Sequence, residues 1–363
     1  MDNIERKDNI GGTEIYVCDG VAPVKEWVTQ HIEGGLIAIL YDVKLKDYAD
    51  SLSSSFRGGN HTTVATCLTE EIPAHTRFII GIGAGRIAGE VRRKSTALGV
   101  DCALVFSAPT TDTILSPNQS RNFNAVFLDR VLIDSCPKEC IASGWGIILS
   151  EPLRNFEDYY AERVLDEKDN IANNLCLSCE NNRINLAYCL LSLSATRLYQ
   201  DNASIMAEVL FDNARRGGRK PRLMGEYKFI SASVIACLYE SYLSSPSIDC
   251  AIPPAHDLGI DDLAKFTGRS MSNLLKAFDF FQIDGYFRVG YILSEYRLDL
   301  LEKLRAVDFH SAQKRWRRIY PDAGYWLKGA FTTKLLYTAM RLSAEIGHGL
   351  LRYILESGFA KAC

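Results

Sequence analysis

The sequence predicts a two-part chain, an α/β domain over residues 1–150 and an all-helical domain over residues 151–363. Three observations predict it. Up to about residue 150, short β-branched runs alternate with longer amphipathic stretches. Beyond it, apolar residues recur at three- and four-residue spacing and β-branched runs become scarce. At 363 residues, the chain also exceeds one ordinary domain.

The strands read, in order, Glu14–Cys18, Leu36–Tyr41, Thr62–Thr66, Phe78–Ile82, Ala103–Phe106 and Ala125–Leu128. Helical patterns fall between them at Val24–Ile32, Lys44–Leu52 and Arg86–Leu98. Apolar strands alternating with helices are what a parallel sheet covered on both faces produces. The second part reads as helices at Asn155–Leu165, Ile184–Leu198, Ser204–Ala214, Glu226–Leu243, Leu263–Phe281, Ser294–Ala306 and Thr332–Ser357. The boundary is expected near Ser150–Glu151.

With 47% apolar and 23% charged residues the chain falls in the globular class and outside the disordered one. A net charge of −3 gives no electrostatic reason to expect nucleic acid or an anionic membrane as partner. The start, MDNIERKDNIGG, has no apolar region and does not read as a signal peptide. Ile230–Leu238, the best apolar run, falls short of the ~20 residues a membrane span needs. Eleven cysteines without an export signal lead us to expect reduced thiols and a cytoplasmic protein.

The chemistry-bearing residues cluster after the predicted strands. RFIIGIG runs into Gly81, Gly83, Ala84 and Gly85, then into a helix opening at Arg86. Glycines there let the backbone approach a pyrophosphate, and the helix N-terminus offers amide donors and a positive dipole end. A bare tight strand–helix turn is the plain alternative. Asp42 follows LIAILY, where a carboxylate can accept from a ribose hydroxyl or cap the helix near Lys44. Thr110, Thr111, Asp112 and Ser116 follow ALVF, where hydroxyls can hold phosphate or polyol groups and Asp112 can orient a substrate hydroxyl. An ordinary Pro/Thr turn is the alternative there.

Other features carry less. Cys176–Cys179 and Cys136–Cys140 lack a second pair at zinc spacing and read as buried or incidental thiols. The basic stretch 215–222 could face a phosphorylated substrate, whereas Lys314–Arg318 reads as a solvated face. No nucleophile elbow or P-loop is present.

In order, GIGAGRIAGE, VFSAPTTDTILSP, NFNAVFLDRVLI and CPKECIASGWGIILS resemble the iron-containing alcohol dehydrogenase and dehydroquinate synthase-like superfamily. The glycerol-1-phosphate dehydrogenase branch is the nearest likeness, over residues 77–150. The resemblance implies a Rossmann-like N-terminal domain, a helical C-terminal domain, and NAD or NADP on Gly83 and Gly85, with Thr110 and Ser116 near its phosphates or nicotinamide. It also implies a divalent metal held by one Asp and two His, which polarises the substrate oxygen. A homo-oligomer and a small-molecule substrate are the remaining expectations of the family.

The sequence departs from that pattern at the metal. Ile147 follows Gly144-Trp145-Gly146 where the metal-binding Asp is expected. The next His falls on Tyr227, or on Lys228 with a shift of one, and the last falls on His256 at a spacing unlike the family's. Gly89, beside Glu90, replaces the acidic residue after the glycine loop. Isoleucine ligates no cation, and a lone His binds one weakly. Tyr227 or Lys228 could instead serve as general acid, given a pKa lowered by burial or a neighbouring cation. The expectation is an NAD(P)-dependent oxidoreductase acting on a small alcohol or ketone, phosphorylated or not. A nucleotide-binding pseudoenzyme and a sugar-phosphate cyclase of the dehydroquinate synthase type are the alternatives.

Overall fold

The computed structural model describes residues 4–68, 70–116, 121–165, 182–196, 201–216, 222–245, 283–319, 321, 336, 339–340, 343 and 349–356. The chain divides into two compact units, Met1–Trp145 with Asn174–Leu198, and Gly146–Asn173 with Tyr199–Cys363.

The first unit is built on strands β1 (Ile4–Ile10), β2 (Thr13–Cys18), β3 (Gly35–Tyr41), β4 (His61–Cys67), β5 (Thr76–Gly83), β6 (Asp101–Phe106) and β7 (Ala125–Asp129). They form one sheet in the order β1-β2-β7-β6-β5-β3-β4. β1 and β2 are antiparallel and every other pairing is parallel. The parallel body agrees with the sequence reading; β1 was not anticipated. Its sequence, IERKDNI, is too charged to read as a strand, and the hairpin is made by Gly11-Gly12, both at positive φ.

Helices α1 (Val21–His31), α2 (Lys46–Ser55), α3 (Gly85–Leu98) and α4 (Arg130–Ser135) connect or follow the strands. Two faces of the sheet are covered. Trp27 and Val28 of α1 and Leu52 of α2 pack with Ile37, Ile39, Ile80 and Phe127. On the other face Ile87 and Val91 of α3 pack with Leu40, Ile79, Leu104 and Val126. Alternate residues of each strand thus enter different layers, and the strands read as unbroken apolar runs because both layers are dry.

Helix α5 (Lys138–Tyr160) runs straight through the boundary expected at residue 150, and a π-helical turn, Ala161–Leu165, follows it. The α6 helix (Arg183–Thr196) belongs to the first unit, not the second: Ile184, Ala187 and Leu191 lie in the same apolar layer as Leu104 and Val126. An amphipathic helix carries no mark of which unit it covers, which is why local periodicity misassigned it.

The second unit contains the remainder of α5, then α7 (Asn202–Arg216), α8 (Met224–Leu243), α9 (Ile283–Ala306), α10 (Phe309–Ile319) and α11 (Gly349–Glu356). Its core joins Leu153, Phe156, Met206, Leu210, Tyr239, Leu300 and Ile354. α8 is apolar nearly all round and is buried continuously from Gly225 to Ala232, as expected of a central helix. α10 was not predicted; among its residues of described burial Trp316 alone is buried, its ring tilted against Phe229 at 4.8 Å, and Lys314, Arg317 and Arg318 are exposed. The helix expected at Leu263–Phe281 lies outside the described residues, as do His256 and the pair Cys176–Cys179.

Cys18, Cys67, Cys102, Cys136, Cys140 and Cys237 are free thiols, whereas Cys189 on α6 is in a disulfide, against the expectation of uniformly reduced thiols. Among the described residues, no helix is long and apolar enough to cross a membrane.

Candidate functional site

The chain leaves β3 through α2 toward β4, at one edge of the sheet, and leaves β5 through α3 toward β6, in the opposite direction. With α2 and α3 on opposite faces, a crevice opens where β3 and β5 end side by side. That reversal is where open α/β sheets bind ligands. Asp42 follows β3 and Gly83 ends β5, and the Asp42 N–H donates to the Ile82 carbonyl at 3.2 Å.

The glycines divide into two roles. A Cβ on Gly81 would lie 2.7 Å from Val91 Cγ2, and one on Gly83 would lie 2.4 Å from Ile87 Cγ1. Both let α3 lie against β5. Gly81, however, sits inside the strand, paired with Leu40 and Leu104, so packing rather than ligand contact accounts for it. Gly83, Ala84 and Gly85 form the turn itself. No side chain caps the N-terminus of α3, and Arg86, in its first turn, is exposed. A helix start without a side-chain cap keeps its first amide donors directed at the crevice.

The segment after β6 closes the other side of this turn. The Ser107 N–H donates to the Gly83 carbonyl at 3.0 Å, and Thr111 Cγ2 lies 3.2 Å from where a Gly85 Cβ would stand. Thr111 and Thr113 hydroxyls hydrogen-bond at 2.9 Å, and the Thr110 N–H donates to the Ala108 carbonyl. Asp112 is buried and Ser116 half-buried, its N–H turned to the Thr113 carbonyl. Thr111 is therefore the hydroxyl brought against the glycine turn. Asp42 is exposed, and its Oδ1 accepts the Lys44 N–H at 3.1 Å, so it caps the short 3-10 turn Val43–Leu45 from the rim of the crevice.

Tyr227 and Lys228 lie in the second unit, on α8. The Tyr227 ring is 2% exposed in the apolar core, edge-on to Phe211 at 5.8 Å, and its hydroxyl accepts the Arg222 N–H at 3.4 Å. Burial pushes the phenol up, opposite to the lowered pKa that proton donation would require. Lys228 Nζ is buried between Glu151 Oε1 and Asp201 Oδ2, 3.4 Å from each. Glu151 also meets Arg154 at 3.5 Å. Sequence reasoning missed Glu151 and Asp201. A single carboxylate in the apolar run IILSEPL was the available signal for Glu151; Asp201, at the foot of α7, gave none.

The donor set does not fit the implied divalent metal. Ile147 is buried and donor-free, an ammonium stands at position 228, and no group of three or more His, Cys, Asp and Glu suited to a metal occurs among the described residues.

No protein-family model matches the sequence, and no curated protein matches it. Solved structures do. Maleylacetate reductase from Rhizobium sp. strain MTP-10005 is similar with a TM-score of 0.52 at 11% identity, over 99% of this chain and 98% of that one. Maleylacetate reductase from Agrobacterium tumefaciens is similar with a TM-score of 0.52 at 12% identity, over 98% and 97%. A glycerol dehydrogenase from Schizosaccharomyces pombe aligns at 15% identity over 86% and 92%, with a TM-score of 0.46. At such identities the likeness speaks for the fold. This chain shares the fold of the two maleylacetate reductases.

Proposed function

We propose that the protein is an NAD(P)-dependent oxidoreductase acting on a small alcohol or ketone, with the dinucleotide at the β3/β5 crevice. One observation carries the reading: Gly83-Ala84-Gly85, the α3 start without a side-chain cap, and Asp42 meet at the point where the strand order reverses. The amides of the first turn of α3 would receive the pyrophosphate, Thr111 would support it, and the Asp42 carboxylate at the rim suits a ribose hydroxyl. A bound nicotinamide would supply or accept hydride. The chain's own task is then to orient the substrate, for which the buried Asp112 remains the candidate. A phosphorylated substrate belongs to the same reading, with the nearest sequence likeness, to glycerol-1-phosphate dehydrogenase, as its support.

A second reading has its own observation. Tyr227 is in a core and Lys228 in a buried ion cluster, which favours a nucleotide-binding protein without turnover over one using either residue as acid. Calorimetric titration with NADH and then NADPH tests both. Binding of either, weakened about tenfold or more in Arg86→Glu without loss of Tm, supports the crevice, because a carboxylate in the first helical turn suits the dipole but repels phosphate. Absence of binding up to millimolar concentration sinks the oxidoreductase. Binding without oxidation of the reduced cofactor, across a panel of small ketones and aldehydes, leaves the second reading.

A further inference from the structure

Three elements of the second unit converge on one buried amine. Glu151 comes from α5, Asp201 from the residue before α7, and Lys228 from α8. Their closeness is set by backbone. A Cβ on Gly146 would lie 2.3 Å from the Gly225 carbonyl oxygen, so α5 and α8 touch main chain to main chain shortly before the Glu151–Lys228 pair. Taking an ammonium out of water costs several kcal/mol unless carboxylates compensate it, and here two do. The cluster is therefore a built arrangement, and it holds a positive charge where the superfamily resemblance, shifted by one residue from Tyr227, puts a metal ligand.

We infer that the Lys228 ammonium, clamped by Glu151 and Asp201, is a covalently attached replacement for the divalent cation and closes that position to metal. A metal would have to come within ~2.0–2.2 Å of the carboxylate oxygens, in space the amine already fills and against its charge. Ile147, one turn before Glu151 and 1% exposed, stands where the resemblance puts the Asp ligand and supplies no donor. The inference rests on the same fold as the oxidoreductase reading but on none of its nucleotide chemistry. It makes Lys228 a fixed counter-charge and not the proton donor considered above.

The test is metal content and thermal stability of the full chain purified without chelator. We expect substoichiometric metal by elemental analysis, and a Tm that neither EDTA nor Mn2+ moves. Lys228→His would place an imidazole between the two carboxylates. That variant should gain a bound Mn2+ spectrum and bind Mn2+ at least about tenfold more tightly than wild type. The double variant with Glu151→Gln should lose the gain. Mn2+ is chosen because free thiols would capture softer metals. Stoichiometric metal in the wild type, a Tm lowered by EDTA, or a folded K228H with no gain would overturn the inference. If K228H does not fold, the wild-type metal content decides alone. None of these readouts involves nucleotide, so their failure is distinguishable from failure of the NAD(P)H titration.

Discussion

Tyr227 and Tyr239 stand on the same helix and differ in what their hydroxyls do. Tyr239 donates to Glu157 Oε1 at 2.8 Å, beside an Asn202 amide that donates to the same oxygen at 2.8 Å, all fully buried. Removing the hydroxyl in Tyr239→Phe leaves a buried carboxylate short of a donor and should cost about 1.5–3 kcal/mol, read from a denaturant midpoint. Tyr227→Phe loses an acceptor for the Arg222 amide at a long 3.4 Å, and we expect less than about 1 kcal/mol and an unchanged rate of any NAD(P)H oxidation. A reaction abolished in Tyr227→Phe would restore the phenol as acid. At this scale the glycine turn and the place of Thr111 and Asp112 just after a strand were accessible to sequence reasoning, whereas the burial of Asp112 was not. The surroundings of Tyr227 and Lys228 were not. A helix apolar on every side gives periodicity no contrast, so only the packed neighbours decide whether a polar residue on it meets solvent, a carboxylate or a ring.

Element placement depends on a few contacts between distant segments. α6 is fastened to the first unit by Ser194, whose hydroxyl accepts the Leu115 N–H at 2.8 Å and donates to the Leu191 carbonyl at 2.7 Å. Ser194→Ala should orphan a buried amide and lower stability by about 1–3 kcal/mol in chemical denaturation, with a larger loss than Ser192→Ala, whose hydroxyl bonds only within its own helix. Equal effects would show that this bond does not hold the helix in place. Five of the six parallel-sheet strands were legible because they are buried on both faces, and the half-buried edge strand β4 was legible from its β-branched run TTVAT. β1 and α10 were not, since an edge strand and a surface helix can each be largely charged when one turn or one tryptophan secures them. The division within α5 was invisible for a related reason, because a helix continues wherever its backbone bonds do, whichever core its side chains enter.

Across the whole molecule, both units keep acids neutral by burial. In the first, burial and the adjacent Asp129 push Tyr48 up, and burial, followed by the Asp129 charge, raises the Cys18 thiol. In the second, burial followed by Glu157 raises Tyr239. A group whose native value lies above its unfolded value stabilises fully below the unfolded value, and that stability is lost as pH rises toward the native one. The unfolded thiol and phenols release protons from about pH 8.5 and 10. The Tm should therefore hold up to about pH 8.5 and fall beyond it, each group contributing a slope of about 1.4 kcal/mol per pH unit. A flat Tm between pH 9 and 11 would contradict this. The sheet order, which no local pattern reveals, adds a temporal consequence. β2 must wait for β7, since Glu14 pairs with Ala125 and Cys18 with Asp129. A ribosome adding ~5–20 residues per second takes roughly 6–22 s to make that partner. Throughout that interval β2 has one edge covered by β1 and the other bare, so this hairpin is open to wrong pairing until β7 emerges.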